Sequence, residues 1–281
     1  MTGPIGVFDS GLGGLTVAAE ILRNLPDESI IYLADTAHVP YGERPLAEIE
    51  GFALGITQYL INRGAKVVVM ACNMSTAVAL ESAQETFPDV PILGVIEPGS
   101  RAAVMTGNNA IGVLATTGTV KSGAYRRAIK QLNPGAVVWE QPCSAFVPLI
   151  ESGRAESEEA EAAVRKYVEP LIANGANTLI LGCTHYPFLR PAIEKAAPGA
   201  SIVDPAEETT SELRKILSER GILAEPGEVT EHQFIASGTT DGIAKLGSRF
   251  LGRNIERVDI IEWGVDLEPV RNSKCRMNAE R

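Results

Sequence analysis

The chain lacks any run of eighteen apolar residues, so nothing in it reads as a membrane-spanning helix. Its first residues, MTGPIGVFDSG, lack a basic segment followed by a long apolar one. No secretory leader is read there, and a cytoplasmic location is expected. Positive charge is scarce: 25 Lys and Arg stand against 35 Asp and Glu, a formal net charge of −10, with no Lys/Arg cluster. That balance repels nucleic acid and anionic membranes in general. Cysteine is scarce too. The four present, Cys72, Cys143, Cys183 and Cys275, include no Cys-x-x-Cys pair, which argues against a structural zinc site. In a reducing cytosol they are expected to be thiols rather than disulfides. Only three histidines are present, and none has enough potential ligands nearby to suggest a metal site.

What is there has the composition of a globular protein: 281 residues, 45% hydrophobic and 21% charged, enough for two α/β domains. Short apolar runs alternate with helical patterns from end to end. Strands are expected at residues 5–8, 30–34, 67–71, 92–95, 111–115, 136–139, 178–181 and 201–203, with two more at 233–237 and 258–263. Amphipathic stretches at 14–25, 46–62, 123–132 and 157–173 read as helices. The alternation predicts parallel sheets wrapped by helices, with ligands at the carboxyl ends of strands.

The chain also resembles itself. IGVFDSGLGG near the start resembles IGVLATTGTV at 111–120, and VVVMACNMST at 67–76 resembles TLILGCTHYP at 178–187. The order is the same and the spacing similar: Gly6 to Cys72 is 66 residues, Gly112 to Cys183 is 71. Chance matching of strand-plus-turn segments is the alternative. A true repeat predicts two pseudo-symmetric α/β domains with mainly parallel sheets and an active site in the cleft between them. The expected division is 1–97 plus 206–263, then 98–205, with a polar tail over 264–281.

Each half then carries one cysteine at the same strand exit. One acid/base group on each side of a carbon is what a racemase needs: one removes the Cα proton and the other returns it from the opposite face. An unperturbed thiol is only about 3% ionised at pH 7. Both cysteines run into polar residues, Asn73 and Ser75 after one and Thr184 and His185 after the other, and then toward an expected helix start, where free N–H groups favour a thiolate or a bound carboxylate. The alternative for each is a buried, inert core thiol, and that reading holds for Cys143 and Cys275. DSGLGG at 9–14 matches neither the dinucleotide fingerprint nor the P-loop. Asp9 is either a helix cap or, with Ser10, a cleft residue near Cys72. His185 is either structural or a partner for Cys183. Glu151 is not singled out by spacing.

FDSGLGGLTV, LADTAHVPYGERP, ACNMSTAVAL, GVIEPG and LGCTHYP resemble the cofactor-independent glutamate racemases of bacterial wall synthesis, strongly over 1–205 and more weakly to 263. The histidine in GCTH points to the glutamate branch, since aspartate-racemase relatives usually carry glutamate there. The resemblance implies that Cys72 takes the proton from D-glutamate and Cys183 from L-glutamate. Asp9 would assist Cys72, and His185, with Glu151 behind it, would assist Cys183. Asp9, Ser10, Tyr41, Gly42, Asn73, Thr116, Thr119, Thr184 and His185 would hold the substrate. The resemblance further implies no metal, no pyridoxal phosphate and a homodimer. It raises a wall-precursor activator and contact with DNA gyrase as further partners, which no motif here decides. One departure is Met74, where the family usually has threonine. Its backbone N–H can still bind a carboxylate, so changed affinity rather than lost activity is expected.

Three other readings stand beside this one. The first is a racemase of another substrate such as aspartate. The second is a cysteine hydrolase using Cys183 and His185, which would leave Cys72 idle. The third is a non-enzymatic binding protein on the same fold.

Overall fold

The computed structural model describes residues 3–239, 242–263 and 269–275. Each apolar run singled out above lies in a strand, with ends differing by a residue or a few. These are β1 (Ile5–Asp9), β2 (Ile30–Ala34), β3 (Val67–Met70), β4 (Ile92–Gly94), β5 (Ala110–Ala115), β6 (Val137–Pro142), β7 (Thr178–Gly182), β8 (Ser201–Val203), β9 (Gln233–Ala236) and β10 (Val258–Trp263). An eleventh, β11 (Pro269–Cys275), runs antiparallel to β10 within the stretch expected to be a polar tail. The rest of that stretch, 264–268 and 276–281, lies outside the described residues.

The four expected helices are α1 (Leu15–Asn24), α2 (Leu46–Asn62), α6 (Ala124–Leu132) and α8 (Glu158–Ala173). Others were not singled out by periodicity: α3 (Asn73–Thr86), α4 (Ile96–Met105), the short α5 (Thr117–Ser122) and α7 (Phe146–Glu151), α9 (Arg190–Ala196), α10 (Pro205–Glu219) and α11 (Ser248–Leu251). In α3 the buried face is made of small and polar residues such as Ser75, Thr76, Ala79 and Ala83, so it shows no apolar stripe. Among the described residues no helix is long and apolar enough to cross a membrane.

The chain divides into two compact units, Met1–Gly94 with Thr210–Arg281, and Val95–Thr209. The first holds a seven-stranded sheet in the order β11-β10-β9-β2-β1-β3-β4, in which every pair but β10–β11 is parallel. The second holds a parallel four-stranded sheet in the order β6-β5-β7-β8. The central strands are buried along their whole length, as a parallel sheet covered on both faces requires.

The internal repeat is therefore present in the topology. The order β2-β1-β3-β4 in one unit is β6-β5-β7-β8 in the other. The register agrees as well: Gly6 faces Val68 and Gly112 faces Leu179. Four residues beyond each facing residue stands a cysteine, Cys72 and Cys183. The repeat thus places one thiol at the same strand exit in each unit.

Candidate active site

In the first unit, β1 and β3 are neighbours whose carboxyl ends leave the sheet side by side. The Ala71 amide still donates to the Phe8 carbonyl at 2.9 Å, so Asp9 and Cys72 emerge from adjacent strands. The Asp9 carboxylate is buried and accepts the Gly14 amide at 2.8 Å and the Gly11 amide at 3.4 Å. Asp9 is not the N-cap of α1, a position held by Gly14 without a side-chain cap; it instead holds the turn before the helix and lies in the electrostatic field of Cys72. Gly14 must be glycine, because a Cβ there would come 2.5 Å from that of Asp9.

Cys72 is the N-cap of α3. Its sulfur accepts the Ser75 amide at 3.4 Å, and its thiol faces the Ser10 hydroxyl at 3.8 Å. Burial, and next the Asp9 carboxylate, push this thiol up to about 11, while Ser75 and Ser10 pull the other way. Cys72 of the ligand-free protein is accordingly a thiol at neutral pH. Its alkylation by iodoacetamide is expected to rise about tenfold per pH unit up to about pH 11. Mass-spectrometric alkylation rates would show this, and a plateau near pH 9 would contradict it.

Met74 lies in an apolar cluster with Tyr41, Ile49 and Cys72, against which Phe52 and Val78 pack. This explains why a methionine is accommodated where a threonine is usual in the family the sequence resembles: its side chain is a wall behind the thiol. Met74→Thr is expected to lower stability by about 2 kcal/mol, read as a fall of several degrees in the melting temperature, with turnover retained. The Tyr41 hydroxyl donates to Asp35 at 2.5 Å, and Gly42 beside it is open to solvent. Asn73 is buried at the start of α3.

In the second unit, Ala115 of β5 faces Gly182 of β7, and Thr116 and Cys183 follow at the adjacent exits. Gly182 is forced by close approach, since a Cβ would meet the Leu114 carbonyl oxygen at 2.8 Å. Cys183 is buried, with His185 Nδ1 3.8 Å from its sulfur. The other ring nitrogen, Nε2, lies 3.0 Å from Glu151 Oε1 at the end of α7. Cysteine, histidine and carboxylate thus form one chain. Thr116 caps α5, accepting the Thr119 amide at 3.4 Å, and the two hydroxyls lie 3.0 Å apart. Thr184 is buried between Cys183 and His185.

One expectation needs correcting here. Cys183 does not run directly into a helix start as Cys72 does. A 3-10 turn, Tyr186–Leu189, begins three residues later with Pro187 in its first turn, and α9 follows it. At the Cys72 exit the Ser75 amide of α3 donates to the sulfur, while at the Cys183 exit the His185 ring lies beside it.

The comparisons with known proteins identify the family. The model of the Asp/Glu/hydantoin racemases matches residues 5–213, which contain both thiols and their partners. The chain belongs to the Asp/Glu/hydantoin racemase family. It is 46% identical to a glutamate racemase of Microcystis aeruginosa over 250 residues, covering 89% of this chain and 88% of that one. Among solved structures, a glutamate racemase isoform of Bacillus anthracis superposes with a TM-score of 0.87 at 36% identity, covering 95% of this chain and 99% of the other. The glutamate racemase of Francisella tularensis in complex with D-glutamate gives 0.87 at 33% identity, covering 93% and 98%.

Within this racemase fold the two cysteine-bearing strand exits are equivalent in backbone and different in side chains. By register, Ala115 is the counterpart of Asp9, and Thr116 that of Ser10. The second unit therefore has no acid at the β5 exit; His185 and Glu151 are the titratable groups that line up with its thiol.

Two buried groups near the first thiol were not anticipated. Tyr32 on β2 donates from its hydroxyl to the Gly11 carbonyl at 2.8 Å. Asp35, just past β2, accepts from Tyr41, from Ser237 at 2.5 Å and from Trp263 at 3.2 Å, and sits 2.9 Å from His38 Nδ1. Burial alone would raise its carboxyl, but the bonds from His38, Ser237 and Tyr41 outweigh that and hold it low. Tyr32 sits in an apolar strand and reads as core. Asp35 depends on Ser237, 202 residues away, so only the β2–β9 pairing could have shown it.

Proposed function

We propose that this protein interconverts L- and D-glutamate by a cofactor-independent, two-thiol mechanism, supplying D-glutamate for peptidoglycan. The observation that carries the reading is the pair of buried thiols at register-equivalent strand exits, one in the field of Asp9 and the other beside His185. A relative at 46% identity is a glutamate racemase, and the presence of His185 supports glutamate over aspartate.

In the direction from D-glutamate, Cys72 passes its proton to Asp9 and as thiolate takes the Cα proton. The electron pair left on Cα spreads into the carboxylate. The Cys183 thiol delivers its proton to the opposite face, and L-glutamate leaves with Cys183 as the thiolate. From L-glutamate the roles exchange, with His185, oriented by Glu151, accepting the proton of Cys183. Positioned acid–base groups contribute about 10²–10⁴-fold. The rest must come from fixed donors on the substrate carboxylates, for which the amides at the α3 and α5 starts and the hydroxyls of Ser10, Thr116, Thr119 and Thr184 are the available groups. Tyr41 contributes through its loop, whose Gly42 backbone is open, with Asn73 and the Met74 amide on the other side. A reducing cytoplasm keeps both thiols reduced, and a homodimer is the expected assembly.

The test is circular dichroism of L-glutamate, D-glutamate and L-aspartate with purified enzyme, a chelator present and no pyridoxal phosphate added. Loss of optical signal from both glutamates and a much slower loss from aspartate is expected. An unchanged signal from both glutamates would overturn the proposal. The Cys183–His185–Glu151 chain also suits a thiol hydrolase. A trapped acyl group on Cys183 after incubation with an ester would favour that reading.

A further inference from the structure

Tyr32 is a buried group in the field of Asp9 and Cys72 that the proposed chemistry leaves without a task. It lies in the middle of β2, paired with Val7 of β1, beneath the turn that carries Asp9 into α1. Its hydroxyl donates to the Gly11 carbonyl at 2.8 Å, and a Cβ on Gly14 would lie 3.0 Å from the same oxygen. Gly11 and Gly14 are the residues whose amides hold the Asp9 carboxylate. The phenol thus holds the turn at Gly11 and lies close to its other end at Gly14.

We infer that Tyr32 is a positioning residue for the Asp9–Cys72 pair, acting through the Gly11 carbonyl to keep the two turn amides aimed at the Asp9 carboxylate. The inference rests on the reading of Cys72 as the base for D-glutamate. The phenol is suited to the task because it does not ionise in the working range. Burial, then the charges of Asp9 and Cys72, push it well above its ordinary value, with only the Leu15 amide pulling the other way. It therefore stays a donor at neutral pH. Without the donor, the half-buried Gly11 carbonyl loses its hydrogen bond and the turn loses that tie to β2. Asp9 would then lose its alignment with Cys72, while Cys183, His185 and Glu151 would keep theirs.

The test is Tyr32→Phe, which removes one oxygen and adds no atom. The enantiomers are equal in free energy, so kcat/KM must fall equally in both directions, here by about tenfold, corresponding to the loss of about one hydrogen bond. The side of the damage is read from isotope effects on kcat/KM with the two α-deuterated substrates. Raising only the Cys72 step should increase the effect for D-glutamate and move that for L-glutamate toward unity. A general loosening would lower the rate and leave the two isotope effects in their wild-type ratio, and that result would overturn the inference. An unchanged rate would overturn it as well. The melting transition reports whether the variant folds. If it does not, Tyr32→Met, which also lacks the donor and can fill irregular space, should show the same divergence. Wild-type enzyme that fails to racemise glutamate at all would refute the proposed function instead, so the two failures are distinguishable.

Discussion

Cys72→Ala and Cys183→Ala should each lower glutamate racemisation by about 10³-fold or more in both directions, within the range that loss of a positioned acid–base group produces. Inversion needs a proton removed on one face and returned on the other, so neither thiol can substitute for its partner. The variants should differ in what survives. With Cys183 gone, Cys72 can still take and return a proton on its own face, so D-glutamate should exchange its Cα proton with solvent slowly, without inversion. With Cys72 gone, L-glutamate should do so. Proton NMR in deuterated water reads the exchange, and circular dichroism reads the inversion. If either alanine variant races through both directions at the wild-type rate, the two thiols are not the pair. Alanine removes little volume from two well-packed exits, so melting temperatures within a few degrees of wild type are expected.

Asp9→Asn has an expected result whose sign separates two roles for the carboxylate. Asp9 raises the Cys72 thiol, second only to burial. If the carboxylate acted only through its field, removing the charge would lower the thiol from about 11, enlarge the thiolate fraction and speed the reaction. If it accepts the Cys72 proton, its loss should slow turnover although the thiol becomes more acidic. The account requires the second outcome: kcat falling about 10²-fold, while iodoacetamide alkylation of Cys72 at fixed pH becomes faster. Asparagine keeps one acceptor for the Gly14 amide, so the turn into α1 should survive. Faster turnover with faster alkylation would contradict the proton-acceptor role.

Much of this site is legible in the sequence because it is built from local rules. Gly6 with Cys72, and Gly112 with Cys183, reflect a strand pairing used twice, and the register confirms that the similar spacings mark equivalent positions. Buried parallel strands announce themselves as apolar runs, so the strand list needed little beyond composition. What was not legible depends on distance or on small side chains. Glu151 reaches His185 across 34 residues and one helix end, and nothing near it in sequence marks it among the other acids. Asp35 is held by Ser237 through the pairing of β2 with β9, a contact the chain order conceals. Tyr32 reads as strand filler because its hydroxyl is visible only once the turn above it is placed. The helix expected directly after Cys183 starts late because Pro187 opens it as a 3-10 turn.

The most direct test of the central claim is the fate of the Cα proton during the first few per cent of reaction in deuterated water, started separately from unlabelled L-glutamate and D-glutamate. Two thiols on opposite faces predict product that carries deuterium at Cα almost completely, while the remaining substrate stays protiated, because the thiol that delivers the new atom has been loaded from solvent. A single base working on both faces would return the substrate's own proton to the product, or wash deuterium into substrate as fast as product forms. Either of those patterns would contradict the account.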